Sequence, residues 1–356
     1  MRILVTGACG FVGSKILGFL REQSPHYTLF GLDNLCRPGS ESNRALLKKL
    51  DVTFFHADVR SASDFESLPA VDWVIDAAAN PSVLAGVDGK SSSRQVIEHN
   101  LSGTINMLEY CRRHGSGFVL LSTSRVYSVP SLASISVKAQ GQRFVLNETN
   151  QPDGLTAKGV TESFDTTPPL SLYGVSKKMS EDIALEYHHT YGLPVWINRC
   201  GVMAGAGQFG KADQGIAAFW IHSWHEKSPL RYLGFGGQGL QVRDCLHPND
   251  LANLVHKQMA SSPDGAIPRL LNVSGGLESS FSLAELSGWC RSYWGYENPV
   301  KQDGTERPFD IGWLVLDDSK ARQWWDWQPM ITRDAIFSEI AEFARQQPEW
   351  MKTSAG

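Results

Sequence analysis

The sequence predicts an α/β protein built on a parallel sheet that is covered by helices on both faces. Strand-like apolar runs alternate with amphipathic, helix-like segments through the first 200 residues. The runs hold consecutive apolar residues instead of an alternating pattern, which indicates strands buried on both sides. A triplet of glycines directly follows the first run, where a strand would turn into a helix.

The predicted elements follow each other in a regular order. The strand-like runs are RILVT, YTLFGLD, VTFFHAD, WVIDAAA, FVLLSTS and PVWINRC, and the helical segments include GSKILGFLREQ, QVIEHNLSGTINMLEYCRRH and SKKMSEDIALEYHHTYG. After about residue 199 the pattern loosens into glycine-rich loops, followed by a late strand, RLLNVSGG, and a helix that begins at serines, SLAELSGWCRSYWG. Residues 129–168 form a long polar excursion, which in a compact domain is usually functional or mobile.

The composition predicts a soluble globular protein and disfavours two classes of partner. Hydrophobic residues make up 42% of the 356 residues and charged residues 20%, with a formal net charge of −4. An acidic chain without a basic face does not suit nucleic acid or an anionic membrane as its main partner. The six cysteines are scattered, the first strand-like run starts at residue 2, and no apolar run approaches the length of a membrane span. We therefore expect a cytoplasmic protein, and the histidines show no spacing that would predict a bound metal.

The glycine triplet predicts a dinucleotide site. Gly7, Gly10 and Gly13 lie between RILV and KILGFLRE, and Asp33 ends the next run 20 residues after Gly13. Missing Cβ atoms let the backbone approach a pyrophosphate, which the N-terminus of the following helix attracts. A carboxylate at Asp33 would accept hydrogen bonds from the adenosine ribose and repel a 2′-phosphate. The motif thus predicts a Rossmann-type, doubly wound sheet that binds NAD, although the nearby Arg37 would suit NADP and a purely structural turn is the alternative.

A second motif, Tyr173-Gly-Val-Ser-Lys177, opens a predicted helix. The spacing of four places both side chains on one helical face. An ammonium beside a phenol lowers the phenol's pKa, so that Tyr173 could exchange a proton near neutral pH. The pair by itself is common on protein surfaces, but here it joins the glycine triplet and the segment LSTSRVYS after the fifth strand.

Together these motifs resemble the extended short-chain dehydrogenases/reductases over nearly the whole chain. The resemblance implies that Thr123, Tyr173 and Lys177 form the catalytic set. It also implies NAD as cofactor and the following cofactor-binding residues: Gly7, Gly10, Phe11, Val12, Gly13, Asp33, Asn34, Asp58, Val59, Ala77, Ala78, Ala79, Asn100, Ser122, Tyr173 and Lys177.

The second half of the chain resembles the nucleotide-sugar branch of that family. In this branch, arginines within segments like QVRDCLHPNDLANLV and ERPFD hold the diphosphate of the substrate, and two exposed surface arginines are the alternative. The segments GQFGKADQG, GFGGQGLQVRDCLH and LLNVSGGLESSFSLAEL resemble the CDP-paratose 2-epimerases, which implies a CDP-sugar as substrate. The substrate-binding residues implied by this resemblance are Ser124, Arg125, Gln208, Gln214, Arg243, Arg307 and Asp310.

Two positions depart from the family pattern. Ser124 and Arg125 stand where nucleotide-sugar dehydratases carry an Asp-Glu pair and UDP-glucuronate decarboxylases a glutamate. Dehydration needs an acid for the departing hydroxide and a base for the α-proton, and Ser-Arg supplies neither. Asp76 stands where the family often has His, so the lining of the sugar pocket differs from the usual one.

These features lead to an NAD-dependent nucleotide-sugar epimerase, an isomerase, as the main hypothesis. Such an enzyme would oxidise a sugar hydroxyl transiently to a ketone and return the hydride to the opposite face. The alternatives are a nucleotide-sugar 4-reductase or dehydrogenase, and a non-catalytic NAD-binding regulator. We expect a homo-oligomer, either a dimer or a tetramer. We expect residues 1–198, with returning segments near 240–260 and 269–276, to form the NAD-binding domain, and 199–239 and 277–356 to form a smaller C-terminal α/β substrate-binding domain.

Overall fold

The computed structural model describes residues 1–87, 89, 92–210, 214–261 and 267–355. Within these residues the strands form one large sheet and several small ones. In chain order the strands are β1 (Arg2–Thr6), β2 (Thr28–Asp33), β3 (Val52–His56), β4 (Trp73–Asp76), β5 (Gly117–Thr123), β6 (Val137–Gln140), β7 (Arg143–Leu146), β8 (Leu155–Thr156), β9 (Gly159–Val160), β10 (Val195–Cys200), β11 (Val202–Met203), β12 (Leu230–Leu233), β13 (Val242–Leu246), β14 (Leu270–Val273), β15 (Ser280–Ser282), β16 (Val300–Asp303) and β17 (Trp313–Leu314).

Helices connect most of these strands. In chain order they are α1 (Phe11–Gln23), α2 (Asn43–Lys49), α3 (Ser93–Ile97), α4 (Gly103–His114), α5 (Val129–Ala133), α6 (Leu172–Tyr191), α7 (Ile216–His225), α8 (Pro248–Ala260), α9 (Leu283–Trp294), α10 (Ser319–Trp325), α11 (Arg333–Gln346) and α12 (Trp350–Ala355). A π-helical turn, Glu98–Ser102, connects α3 to α4.

The main sheet confirms the predicted Rossmann-type, doubly wound fold. Its seven strands have the order β14-β10-β5-β4-β1-β2-β3, and every neighbouring pair is parallel. The chain runs from β1 outward through β2 and β3, and then returns to β4 on the other side of β1. In open α/β sheets the crevice at such a reversal, at the carboxyl ends of the strands, is where ligands bind.

Helices cover both faces of the main sheet. On one face, Leu17 of α1 and Leu251 of α8 belong to a single buried apolar cluster. On the other face, Leu108 of α4 and Ala184 of α6 belong to a second cluster. Strands buried between two helical layers explain the consecutive apolar residues of the strand runs.

A smaller unit contains the second sheet. β13 lies between β11 and β15 and also pairs with β17, while β12 and β16 form a separate pair. Helices α7, α9 and α11 pack around a third apolar cluster that includes Phe281 of β15. The expected domain bounds stay a prediction. β14 returns to the main sheet and α8 packs with α1, whereas β13 lies in the second sheet.

The excursion at residues 129–168 is folded and joins the two units. It contains α5 and the antiparallel pairs β6–β7 and β8–β9. The amide of Phe144 donates to the Leu240 carbonyl at 2.9 Å, and Val160 forms a β-bridge with Leu316. The excursion therefore packs against the segments that lead into β13 and follow β17.

In the part of the chain that the structure describes, no helix combines the length and the apolar character needed to cross a membrane. Among the same residues, no three His, Cys, Asp or Glu side chains are grouped as a metal site would require. All six cysteines lie in the described residues and are free thiols.

Candidate active site

The glycine turn after β1 leaves no room for side chains. Gly7 has a φ of +62°, and a Cβ built there would lie 2.9 Å from the Ala77 carbonyl oxygen. A Cβ at Gly13 would lie 2.2 Å from the Gly7 carbonyl oxygen. Gly10 is the N-cap of α1 and has no side chain to cap it. The first amides of α1 are therefore available to an anion, as a pyrophosphate site requires.

A cavity of about 300 Å³ lies at this turn, at the carboxyl ends of the strands. Its lining includes most of the predicted cofactor-binding residues: Gly7, Gly10, Phe11, Val12, Gly13, Asp33, Asn34, Val59, Ala77, Ala78, Ala79, Ser122 and Tyr173. Three others do not line it: Asp58, Asn100 and Lys177. The glycine cradle, the small alanines and the position of Asp33 fit a dinucleotide.

Asp33 connects the glycine turn to the wall of the cavity. Its carboxylate accepts hydrogen bonds from the amides of Cys9 at 2.9 Å and Leu35 at 2.8 Å. Burial raises the pKa of Asp33, and these amide donors act in the opposite direction. A carboxylate already ordered by two amides is a rigid acceptor for ribose hydroxyls.

Asp58 and Asn100 do not line the cavity but form hydrogen bonds with residues in or next to its wall. The Asp58 carboxylate accepts from the Asn34 amide at 3.0 Å and from Arg60, whose guanidinium holds the pKa of Asp58 below its ordinary value. Asn100 lies in the π-helical turn and is 1% exposed. Its side chain bonds to both backbone groups of Asn80 and donates to Ser176 at 3.0 Å. Asn100 thereby links the segment after β4 to α6.

Asp76, the departure from the family pattern, lies in the core and does not line the dinucleotide cavity. It is 3% exposed, and its carboxylate accepts from the hydroxyls of Thr6 at 2.7 Å and Thr104 at 2.9 Å. The Thr6 hydroxyl in turn accepts from the Ala78 amide at 3.0 Å. Asp76 therefore orders the segment that lines the cavity without lining it itself.

Tyr173 and Lys177 lie in the first turns of α6, which begins at a serine cap. The Ser171 hydroxyl accepts from the Gly174 amide at 3.0 Å, as N-caps do. Burial raises the pKa of the Tyr173 phenol, while a hydrogen bond with Thr123 and the guanidinium of Arg125 act to lower it. The structure thus brings Thr123, at the end of β5, to Tyr173, as the expected catalytic set requires. The cation that lowers the pKa of Tyr173 is Arg125, whereas we expected this effect from Lys177.

Lys177 is 1% exposed. Burial lowers the pKa of its ammonium, and the carboxylates of Asp76 and Glu181 oppose that effect. Glu181, one turn further along α6, is fully buried and pairs with Arg199 at 2.7 Å. Its other oxygen accepts from the Ser122 hydroxyl at 2.6 Å. A buried carboxylate network therefore lies beneath the ammonium.

Three of the expected substrate residues, Arg243, Arg307 and Asp310, lie close together. The Asp310 carboxylate lies 3.7 Å from the guanidinium of Arg243 and 3.8 Å from that of Arg307. Arg243 also donates to the Val242 and Ile311 carbonyls, both at 2.7 Å. Burial and the neighbouring guanidinium groups lower the pKa of Arg243 to about 10. We call Arg125, Arg243, Arg307 and Asp310 the arginine cluster.

Within the arginine cluster, Arg125 is the residue whose charge acts on Tyr173. Its guanidinium donates to the Phe309 carbonyl at 3.4 Å, next to Asp310. Burial lowers the pKa of Arg125, whose charge also interacts with Asp310, Tyr173 and Arg307. A Cβ at Gly174 would lie 2.2 Å from the Arg125 carbonyl oxygen, so the backbone of Arg125 packs directly against the start of α6. Ser124 is buried beside it.

The two predicted glutamines lie in the dinucleotide cavity. Gln208 and Gln214 both line it, and the Gln214 side chain accepts from Arg37 at 2.9 Å. Their role in substrate binding stays a prediction. Sequence reasoning missed Phe209 as a lining residue and considered Arg37 only as a sign of NADP. The sequence feature that could have identified Phe209 is the aromatic residue within the segment GQFG.

The fold and this site define a dinucleotide-dependent α/β enzyme. The chain belongs to the NAD dependent epimerase/dehydratase family, whose model matches residues 3–274. This confirms the expected membership of the extended short-chain dehydrogenase/reductase group, the enzymatic character and NAD as cofactor. When NAD is bound, the glycine turn would hold its pyrophosphate and Asp33 its adenosine ribose.

Known proteins resemble the chain over almost its full length. CDP-paratose 2-epimerase of Salmonella typhi is 27% identical over 347 residues, which are 93% of this chain and 96% of the relative. UDP-glucuronate 4-epimerase of Thermodesulfobacterium geofontis is 25% identical over 98% of both chains. Among solved structures, UDP-glucuronic acid 4-epimerase from Bacillus cereus, in complex with UDP-glucuronic acid and NAD, superposes with a TM-score of 0.76. It is 22% identical, covers 97% of this chain and 99% of its own, and shows the fold alone. The epimerases among these relatives agree with the expected isomerase class.

Proposed function

We propose that the protein is a nucleotide-sugar epimerase that acts on a CDP-sugar and inverts C2, as a CDP-paratose 2-epimerase does. The observation that carries the proposal is the arginine cluster next to Tyr173. Three guanidinium groups and one carboxylate leave the cluster with a net positive charge, which suits the two negative charges of a diphosphate diester. The likeness to the CDP-paratose epimerase supports the choice of base and carbon.

In the proposed reaction, Tyr173 accepts the proton of the sugar hydroxyl and later returns it. NAD, when bound, supplies the hydride acceptor for the oxidation and the donor for the return. Thr123 donates a hydrogen bond that supports the phenolate of Tyr173. Lys177 would hold the ribose next to the nicotinamide. The keto-sugar then turns, so that its opposite face is reduced.

The arginine cluster would hold the substrate while the sugar turns. Arg243 is fixed to two carbonyls and lies at the base of the cluster, with 15% of its side chain exposed. Arg307 is 39% exposed and lies at the mouth. Because both lie more than 3.5 Å from Asp310, each keeps donors for a phosphate oxygen. The diphosphate would thus be anchored while the sugar ring rotates about its bonds.

Ser124 and Arg125 argue against dehydration. A dehydratase needs a proton donor and a base beside the catalytic threonine. The guanidinium of Arg125 keeps its proton at any physiological pH, so it supplies neither. Its bond to the Phe309 carbonyl holds it next to Asp310. We therefore assign Arg125 to substrate binding.

We further propose a homo-oligomer that works in the cytoplasm. Leu172 and Met179 of α6, seven residues apart, are 39% and 44% exposed, and an apolar helix face of this kind suits a subunit contact. The free thiols of all six cysteines suit a reducing compartment. Light scattering on the purified protein tests the oligomer, and a monomer at micromolar concentration would contradict it.

Purified protein incubated with CDP-, UDP- and dTDP-sugars, and followed by NMR, tests the substrate and the carbon. We expect a CDP-sugar to be converted to its C2 epimer with no cofactor added. Conversion of a UDP-sugar to its C4 epimer would contradict the base and carbon that we propose. Loss of water from the sugar would identify a dehydratase. A requirement for stoichiometric NADH or NAD would identify a reductase or dehydrogenase.

A further inference from the structure

The C-terminal helix α12 packs on the wall of the dinucleotide cavity. Its first residue, Trp350, stacks on Phe209 with ring centroids 5.2 Å apart and an interplanar angle of 25°. The indole N–H donates to the Gln208 carbonyl at 3.0 Å. Phe343 of α11 contacts Trp350 edge-on at 5.2 Å. Helix α12 lies outside the residues that the family model matches.

Phe209 transmits this contact to Arg37. The guanidinium of Arg37 lies over the Phe209 ring, 5.7 Å from its centroid, on a residue that is 4% exposed. Arg37 also donates to the Phe209 carbonyl at 2.7 Å and to the Gln214 side chain at 2.9 Å. Stacking and cation–π contacts of this kind each favour a fixed geometry.

This group of side chains belongs to the cavity that Asp33 lines, and Arg37 follows Asp33 by four residues. Arg37, Gln208, Phe209 and Gln214 line the same cavity as Asp33. The helix also approaches the loop after β2, since a Cβ at Gly39 would lie 3.2 Å from Phe209 and 3.4 Å from Thr353. Two segments that are more than 160 residues apart are thus held together by the C-terminal helix.

We infer that Trp350 is a positioning residue for the cofactor: it holds Phe209, and through Phe209 also Arg37, against the adenosine end of the bound NAD. Without the indole, Phe209 loses its stacking partner and the Gln208 carbonyl loses its donor. The part of the cavity wall formed by Phe209 and Arg37 is then held less rigidly, and NAD escapes more easily. An enzyme that regenerates its cofactor in each cycle benefits from this retention. The inference concerns NAD binding alone and holds for any sugar substrate.

The test is the rate at which NAD leaves the native holoprotein after dilution, measured with an enzymatic assay of free NAD. We expect Trp350→Ala to release NAD about tenfold faster, because a stacking contact and a hydrogen bond are lost. Trp350→Phe keeps the stack and should stay within about threefold of the unchanged protein. Trp324→Ala is the matched control, since Trp324 is 41% exposed and does not line the cavity.

Melting temperatures of the NAD-free and NAD-saturated forms separate positioning from general stability. Positioning predicts that Trp350→Ala reduces the stabilisation by NAD more than it reduces the stability of the NAD-free form. A second variant, the chain ending at Gln347, removes α12 entirely and should release NAD at least as fast. Release within twofold of the unchanged protein in both variants would overturn the inference. Failure of both variants to fold would also overturn it, because α12 would then serve global stability.

Discussion

Tyr173 is the residue on which the proposed chemistry depends most. Burial raises the pKa of its phenol, and the contacts that act against burial come from Thr123 and Arg125. Thr123 ends β5 and Arg125 lies in the turn that directly follows, so one short segment provides the hydrogen bond and the positive charge. The phenol is also the group with the reach and the acid–base character to exchange a hydroxyl proton.

Replacing Tyr173 with Phe should abolish turnover and leave folding and NAD content nearly unchanged. The phenol oxygen is the proton acceptor, and the ring of Phe fills the same space. Turnover of the nucleotide sugar and the NAD released on denaturation are measured on the same sample. Turnover within a few-fold of the unchanged enzyme would remove Tyr173 from the mechanism.

Arg125 provides a prediction about pH. Since its guanidinium lowers the pKa of Tyr173, Arg125→Gln should raise that pKa. Tyr173 must be deprotonated to accept the hydroxyl proton, so a higher pKa moves the rising limb of the kcat/KM profile to higher pH. Arg125→Lys retains the positive charge and serves as the control. An unchanged limb in Arg125→Gln would show that Arg125 does not act on the phenol.

At the scale of elements, β13 determines where the diphosphate would bind. Arg243 pairs with Phe281 of β15 on one side and with Leu314 of β17 on the other. The same pairing brings the loop before β17, which carries Arg307 and Asp310, beside β13. The excursion at residues 129–168 supports this arrangement through the Phe144–Leu240 bond. Its position suggests a supporting role for what the sequence showed only as a polar segment.

Substituting Arg243 with Ala, or Arg307 with Ala, should raise KM for the nucleotide sugar. A charge-assisted hydrogen bond at a buried site contributes roughly 1.5 to 3 kcal/mol, or about ten- to a hundredfold in KM. The more exposed Arg307 should give the smaller effect, because its charge is better solvated. kcat should change less than KM, since the diphosphate is not at the reacting bond.

The double substitution of both arginines should be non-additive because both guanidinium groups share one ligand. The control is a sugar without the diphosphate, which should be a poor substrate for every variant. Unchanged KM in both single variants would mean that the substrate is an alcohol of another class.

For the whole molecule, sequence patterns predicted the local features, and the family resemblance placed Arg243, Arg307 and Asp310 in one site, but other long-range contacts were missed. The main sheet, the glycine turn and the start of α6 each follow from residues close together in the chain. The meeting of Arg125 with the Phe309 carbonyl joins positions 184 residues apart. The Trp350–Gln208 bond joins positions 142 residues apart. Such contacts depend on how complete elements pack, which no local period encodes. The fold of the excursion was missed for a related reason, because its two short hairpins are held in place by contacts with the C-terminal unit.

In the proposed reaction, the inverted carbon loses and regains its own hydrogen on the enzyme. The most direct measurement is turnover of the nucleotide sugar in deuterated water, with NMR and mass analysis of the epimerised product. Return of the same hydride predicts a product that carries no deuterium at the inverted carbon. Deuterium at that carbon would show exchange with solvent through proton abstraction, and would contradict transient oxidation with return of the same hydride.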